Sequence, residues 1–343
     1  MSDGKVKKNS EYLVEVKDMK KWFPVQTSFI DQVFARELKY VHAVDGVSFN
    51  IRKGEVLGLA GESGSGKTTI GRVTIGLEPK TSGEVYFDGI DLSKLHREEL
   101  RKLRRRMQVI FQDPLASLNP RMSLGEGVMQ GLKIHYPETA DQHRDITMEM
   151  MEKVGLSPAR FYFNKYPHQI SGGQRQRVVI ARALITNPDL ILADEPIAMA
   201  DVSVRSLLLD LMVQLKEELD LTYMFITHDL ATAKYICDNI AILYLGKIVE
   251  IGPLRDVYST PMHPYTQALM AAVPVPNPHD RRTTPMPEGE IPNPIDPPKG
   301  CRYHPRCPFA RADCSEVEPE LRKLEPNHFV ACHYAENLKQ KII

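Results

Sequence analysis

The run Gly61-Glu62-Ser63-Gly64-Ser65-Gly66-Lys67-Thr68 constrains the fold of this chain more than any other stretch. It matches the spacing G-x-x-x-x-G-K-[ST], in which glycines let backbone N–H groups converge on phosphate oxygens with no Cβ in the way. The flanks suit that role. Residues 55–60 form an apolar run that reads as a buried parallel strand, and Thr69 to Val73 opens a helical pattern. The helix then points its positive end at the phosphates. Lys67 reaches the β- and γ-phosphates, and Thr68 holds Mg2+. A plain Gly/Ser turn ahead of a helix is the competing reading, and the downstream motifs decide between them.

The 343 residues suit two domains, or one large and one small. Lys+Arg and Asp+Glu balance at 44 each, so charge gives no argument for nucleic acid. No apolar run has the length of a membrane span, and the first residues lack the apolar core of a signal peptide. The chain is therefore expected in the cytoplasm, with any membrane association supplied by partners.

Residues 1–10 read as a loose polar tail, and residues 12–19 as a strand. Trp22 is the only tryptophan. Its ring could stack on an adenine, or sit half-buried in the core; composition alone favours the core. Residues 26–41 carry moderate helical character between two strand-like runs, the second at 41–51. With the turn–strand–turn of 81–89, these runs make an antiparallel group beside the phosphate loop. Residues 95–106 read as a charged helix with a solvated face, and 107–111 as a strand with Gln112 at its end. Ligands bind beyond the carboxyl ends of strands in open α/β sheets, so Gln112 could sense the γ-phosphate or Mg2+, or be a loop residue.

Residues 123–170 are mainly helical in pattern and form an inserted subdomain. They end in Ser171-Gly172-Gly173-Gln174 and a helix through Leu184. Ser171 suits an N-cap, and the two glycines leave the first N–H groups open for a second anion site, although taken alone the feature reads as a simple cap. The apolar run from Leu190 ends in Asp194-Glu195. On a central strand Asp194 binds Mg2+, and Glu195 acts as general base on water. One more strand, 222–227, precedes His228, which could donate to the γ-phosphate. A strand pair turns at Gly246-Lys247. Past about residue 255 come His263-Pro264-Tyr265, a short helix at 266–272 and a proline-rich stretch, 274–298. Cys237 reads as a buried apolar side chain. Cys301, Cys307, Cys314 and Cys332 are spaced C-x5-C-x6-C-x17-C, which suits an iron–sulfur cluster, zinc or reduced structural thiols equally well.

The order Gly61–Thr68, Gln112, Ser171–Gln174, Asp194-Glu195 and His228 resembles the ATPase subunit of an ABC transporter, across roughly residues 12–260. The resemblance implies an α/β fold. Its parts are a P-loop NTPase (RecA-like) core, an antiparallel β subdomain, a helical subdomain at about 113–175 and a small irregular Cys-rich C-terminal domain, with the ATPase over 1–260 and the tail over 261–343. It also implies a head-to-tail dimer that holds each ATP between one subunit's phosphate loop and the other's Ser171 helix. Trp22 matches the adenine-stacking position. Gly61, Glu62, Ser63, Gly64, Ser65, Gly66, Lys67, Thr68, Thr69 and Gln112 match the near side of the nucleotide site. Ser171, Gly172, Gly173, Gln174 and Asp201 match the far side, with Ile170 in the usual leucine position. Thr68, Gln112 and Asp194 match the Mg2+ ligands, and Glu195, His228 and Gln112 the hydrolytic residues. One departure is Ala198-Met199-Ala200-Asp201, where the family has Ser-Ala-Leu-Asp.

Lys20–Val25, Ser117–Arg121, Tyr166-Pro167-His168, His263-Pro264-Tyr265 and Gly300–Pro308 resemble the oligopeptide/dipeptide importers, with the F-type subunit closer than the D-type. That resemblance implies a second, non-identical ATPase, two transmembrane permease subunits, an extracytoplasmic solute-binding protein, and a place on the cytoplasmic face of the membrane. It also tips the four cysteines toward a [4Fe-4S] cluster, ahead of zinc. Two rival functions are oligosaccharide import by the same motor and a soluble ATPase acting on DNA or ribosomes. Against the second, no heptad pattern runs between Gln112 and Ser171, and the chain holds one cassette.

Overall fold

The structure, a computed structural model, describes residues 11–25, 39–272 and 289–338. The loose tail of 1–10, most of the helical stretch expected at 26–41 and the first part of the proline-rich stretch lie outside the described residues. In chain order the strands are β1 (Tyr12–Pro24), β2 (Tyr40–Arg52), β3 (Val56–Ala60), β4 (Ser82–Phe87), β5 (Ile90–Asp91), β6 (Met107–Ile110), β7 (Leu190–Asp194), β8 (Thr222–Ile226), β9 (Asn239–Tyr244), β10 (Lys247–Pro253), β11 (Arg322–Glu325) and β12 (His328–Val330). The chain divides into two compact units. Unit one takes Met1–Asn50, Leu57–Asp91 and Thr227–Ile343; unit two takes Ile51–Val56 and Leu92–Ile226.

Unit one carries an antiparallel sheet in the order β2-β1-β4-β5. Val14 faces Phe87 and Val16 faces Val85 across β1 and β4, and all four side chains are buried. This is the antiparallel group expected from the alternating runs. The second sheet of the unit has the order β11-β12-β10-β9-β3. Every residue of β3 is buried, as a strand covered on both faces requires, and it runs parallel to β9 with Leu57 opposite Asn239 and Ala60 opposite Ile242. The expected hairpin at Gly246-Lys247 is the β9–β10 turn. Residues 322–330 extend that hairpin as β11 and β12, so the Cys-rich segment is built into unit one. Glu250, fully buried on β10, anchors the junction. Its carboxylate accepts from the backbone N–H of Met262 (2.9 Å) and His263 (3.0 Å) and bonds Nε2 of His328 (2.8 Å), so this buried acid has its partners.

Unit two holds β6, β7 and β8 in parallel, with Ile110 opposite Ala193 and Asp194 opposite Ile226. β7 and β8 are buried throughout. The charged helix is Arg97–Arg104, shorter than the expected 95–106, and its face is solvated apart from Leu103. The strand after it ends at Ile110, one residue before the expected end, where its ladder with β7 stops, and Phe111 beyond it is exposed. The helices Leu124–His135, His143–Lys153 and Ala159–Phe163 fill the stretch expected to be helical. Ser123 and Glu126 close the first of these with reciprocal hydrogen bonds. Among the described residues no helix is long and apolar enough to cross a membrane.

Candidate nucleotide site

The phosphate loop joins β3 to the helix Lys67–Thr74. Two of its glycines are required by close approach. Gly66, the N-cap, has φ 103°, and a Cβ there would lie 2.2 Å from the Ala43 carbonyl oxygen. Gly61 has φ 148°, and its Cβ would lie 2.3 Å from the Leu243 carbonyl oxygen. No other residue fits either position. The backbone turns back on itself through Ser65 N–H to Glu62 O (3.2 Å), and Gly246 N–H caps Ser65 O (2.9 Å). Lys67 is buried. Its Nζ donates to the carbonyls of Gly61 (2.8 Å) and Glu62 (2.9 Å). The loop thus holds the Lys67 cation against its own carbonyls, beside glycine-rich backbone of the kind that can receive phosphate.

Trp22 is half-buried in the same unit. Its ring stacks on His42 with centroids 4.3 Å apart, and Nε1 donates to Asp45 (3.1 Å). Asp45 in turn receives Arg302. The ring is therefore held in a fixed plane and half-buried, the partly buried setting that composition favours. His228 is exposed, on a turn fixed by Asp229 N–H to Thr227 Oγ1 (3.0 Å) and Thr227 N–H to Leu59 O (3.2 Å).

Unit two carries the remaining residues. Asp194 is buried at the end of β7. Glu195 follows with φ 48°, in the left-handed region that non-glycine residues seldom occupy, and its N–H donates to Ile226 O (3.0 Å). Such strain concentrates at functional sites. Gln112, two residues beyond β6, donates Nε2–H to Oε2 of Glu195 (2.9 Å). The parallel register explains the meeting, since the ends of β6 and β7 lie side by side.

Ser171 caps the helix Gly172–Leu184. Its Oγ accepts from Gln174 N–H (3.3 Å), and Gln174 Oε1 accepts from Ser171 N–H (3.0 Å). The cap leaves Gly172 open, while a Cβ at Gly173 would strike Val204 at 2.8 Å. Asp201 is the exposed N-cap of the helix Val202–Leu219. The departing loop before it is braced by Arg205, whose Nε donates to Ala200 O (3.0 Å), a contact that does not use a hydroxyl at position 198.

Cys301, Cys307, Cys314 and Cys332 line one small cavity. However, among the described residues no group of three or more His, Cys, Asp or Glu side chains could hold a metal ion. Burial pushes the Cys301 thiol up to about 12 and Cys307 up to about 11, favouring the protonated form over the thiolate a metal takes. The expected metal centre is thus not formed by these side chains as they stand. Cys237 is buried, as expected, and burial raises its thiol well above its usual range.

Sequence reasoning missed four residues of the site's surroundings: Asp45, Tyr265, Arg302 and Arg306. The last three lie in the two C-terminal motifs already singled out, but no spacing rule points from there to the phosphate loop.

A family model for the ABC transporter matches residues 44–198. Among solved structures, a dimeric ATP-binding cassette, MJ0796, in a post-hydrolysis state bound to ADP and Pi is 33% identical with a TM-score of 0.61, covering 71% of this chain and 99% of that one. CbiO1 from Clostridium perfringens, part of the ABC transporter complex cbiONQ, is 26% identical with a TM-score of 0.61, covering 73% and 91%. Fold and loop together define an ATP-binding cassette, an ATPase of the P-loop class. A second model, the oligopeptide/dipeptide transporter C-terminal region, matches residues 249–314. The oligopeptide transport ATP-binding protein AppF of Bacillus subtilis is 45% identical over 95% of this chain and 98% of its own length. Its counterpart OppF of Salmonella typhimurium is 45% identical over 93% and 95%. The chain belongs to the ATP-binding proteins of oligopeptide/dipeptide ABC transporters.

Proposed function

We propose that this chain is the ATP-hydrolysing motor of a peptide importer. One observation carries the reading: a single chain joins the cassette to the oligopeptide/dipeptide C-terminal region, and it aligns along nearly its whole length with oligopeptide transport ATP-binding proteins. Residues 61–69 bind the ATP phosphates, and Trp22 stacks on the adenine. Thr68, Gln112 and Asp194 hold Mg2+. Glu195 takes a proton from the attacking water, with Gln112 placing its carboxylate, and His228 donates to the γ-phosphate. Ser171, Gly172, Gly173, Gln174 and Asp201 serve the ATP of a partner ATPase in a head-to-tail pair. ATP closes the pair and hydrolysis releases it, a two-state element biased by the γ-phosphate. The ATPase domain extends over 1–260 and the importer-type tail over 261–343.

The partner is a second, non-identical ATPase, this chain taking the F-type place that AppF and OppF suggest by name. Two permease subunits hold the pair at the cytoplasmic face of the membrane, and a binding protein delivers peptide to them. The importer-type tail would give Cys301, Cys307, Cys314 and Cys332 a structural [4Fe-4S] cluster only after their side chains rearrange, since as they stand they form no metal-binding group.

Uptake of labelled peptide by proteoliposomes carrying the complete complex tests the reading. ATP-dependent uptake that disappears with Glu195→Gln is the expected result. Uptake that persists with that variant contradicts the motor assignment.

A further inference from the structure

Glu62, the second residue of the phosphate loop, is held by the C-terminal part of unit one. Its backbone N–H donates to the Tyr265 hydroxyl at 2.9 Å. Its carboxylate receives both terminal nitrogens of Arg306, at 2.9 and 3.2 Å. The Arg306 side chain is 8% exposed, so this pair is shielded more than a surface salt bridge. Tyr265 is itself immobilised. It is fully buried, with its ring 4.7 Å from Tyr244 and 5.3 Å from Tyr303, centroid to centroid. Nothing in phosphate binding by a loop of this kind calls for a residue some two hundred positions away.

A second tie runs in parallel. Arg302 bonds the Asp45 carboxylate and the Leu245 carbonyl, and Asp45 accepts from the Trp22 indole. One turn of the C-terminal region, 302–306, therefore reaches both the phosphate loop and the indole.

We infer that Tyr265 and Arg306 are positioning residues for ATP: the C-terminal region is a built-in brace that fixes the phosphate loop through Glu62. The inference rests on the ATP-site assignment proposed above. Phosphates are bound by backbone amides whose directions follow from the peptide planes of the loop. Pinning the N–H of Glu62 to a rigid tyrosine, and its carboxylate to a forked guanidinium, fixes in advance the peptide plane at which the phosphate-facing amides begin. Less conformational freedom is then lost when nucleotide binds. A region that served only to cover the core would add stability without changing affinity.

The test uses the purified full chain, a fluorescent ATP analogue with Mg2+, thermal unfolding, and hydrogen exchange of the loop amides. The variants are Tyr265→Phe, Arg306→Lys and Arg306→Ala, with Lys67→Ala as reference. Tyr265→Phe deletes a single oxygen, so it keeps the buried packing. It should weaken analogue binding about threefold and speed exchange at the Glu62 amide. Arg306→Ala should weaken binding about tenfold, and Arg306→Lys, which keeps the charge but loses the fork, should fall between. Should Arg306→Ala fail to fold, Tyr265→Phe and Arg306→Lys give the same decision. The inference is overturned if the folded variants bind within twofold of the parent, or lose only thermal stability, while Lys67→Ala abolishes binding. If Lys67→Ala also binds normally, the ATP-site assignment fails first and takes the brace with it.

Discussion

Gln112 Nε2 and Glu195 Oε2 lie 2.9 Å apart, joining two residues 83 positions apart at the ends of neighbouring parallel strands. The bond fixes the direction of a carboxylate whose own backbone sits in a strained conformation. If Glu195 is the general base, Glu195→Gln in the assembled complex should lower ATP turnover at least about 100-fold while nucleotide still binds. Gln112→Ala, which removes one hydrogen bond to the carboxylate and one proposed Mg2+ ligand but keeps the base, should cost less. Steady-state phosphate release together with analogue binding separates the two. Unchanged turnover in Glu195→Gln would refute the assignment.

Ser171 has two roles that can be pulled apart. As a cap it closes a reciprocal pair with Gln174, and Ser171→Ala should cost about 1 kcal/mol of stability in the isolated chain. As a ligand of the partner's ATP it should matter only in the pair. The variant should then bind nucleotide normally alone yet turn it over poorly in the complex. Equal loss in both settings would leave only the cap.

The Asp45–Arg302 pair sets an acid limit on unit one. Burial alone would raise the Asp45 carboxyl, but Arg302, Lys247 and the Trp22 N–H together hold it below its usual value. A depressed acid stabilises the fold above the unfolded carboxyl's value of 3.8 and loses that contribution as pH falls through its folded value. Asp45→Asn, which strands Arg302, should therefore cost about 3 kcal/mol near neutrality, and the gap to the parent should close on acidification below 3.8. Denaturant titration followed by the fluorescence of the sole tryptophan reads both. A gap that widens in acid would contradict the pairing.

Gly58 is set by packing. A Cβ there would lie 2.8 Å from Cys237 Sγ, deep in a strand with no room to move. Gly58→Ala should destabilise by about 1–3 kcal/mol, and adding Cys237→Ala should recover part of it. Strictly additive losses would rule out the contact.

The sequence was most informative where chemistry needs backbone geometry. The glycines at 61 and 66 are forced by positive φ and close approach, so the phosphate loop leaves a fixed spacing that its flanks and the downstream motifs then confirm as a loop rather than a plain turn. The buried strands β3 and β7 stand out as apolar runs because both their faces are covered. The residues bracing the site did not stand out. Arg306 meets Glu62 across 244 positions, a distance that leaves no periodic trace. The four cysteines marked a shared place correctly, since they line one cavity, but spacing could not tell whether their thiols converge on an ion.

ATP turnover by the complete membrane complex, with its solute-binding protein present, tests the central claim most directly. Short peptides and short oligosaccharides would be compared as stimulants. The account predicts that peptides raise turnover and sugars do not. Turnover raised by sugars alone, or by neither while basal hydrolysis continues, would contradict peptide import.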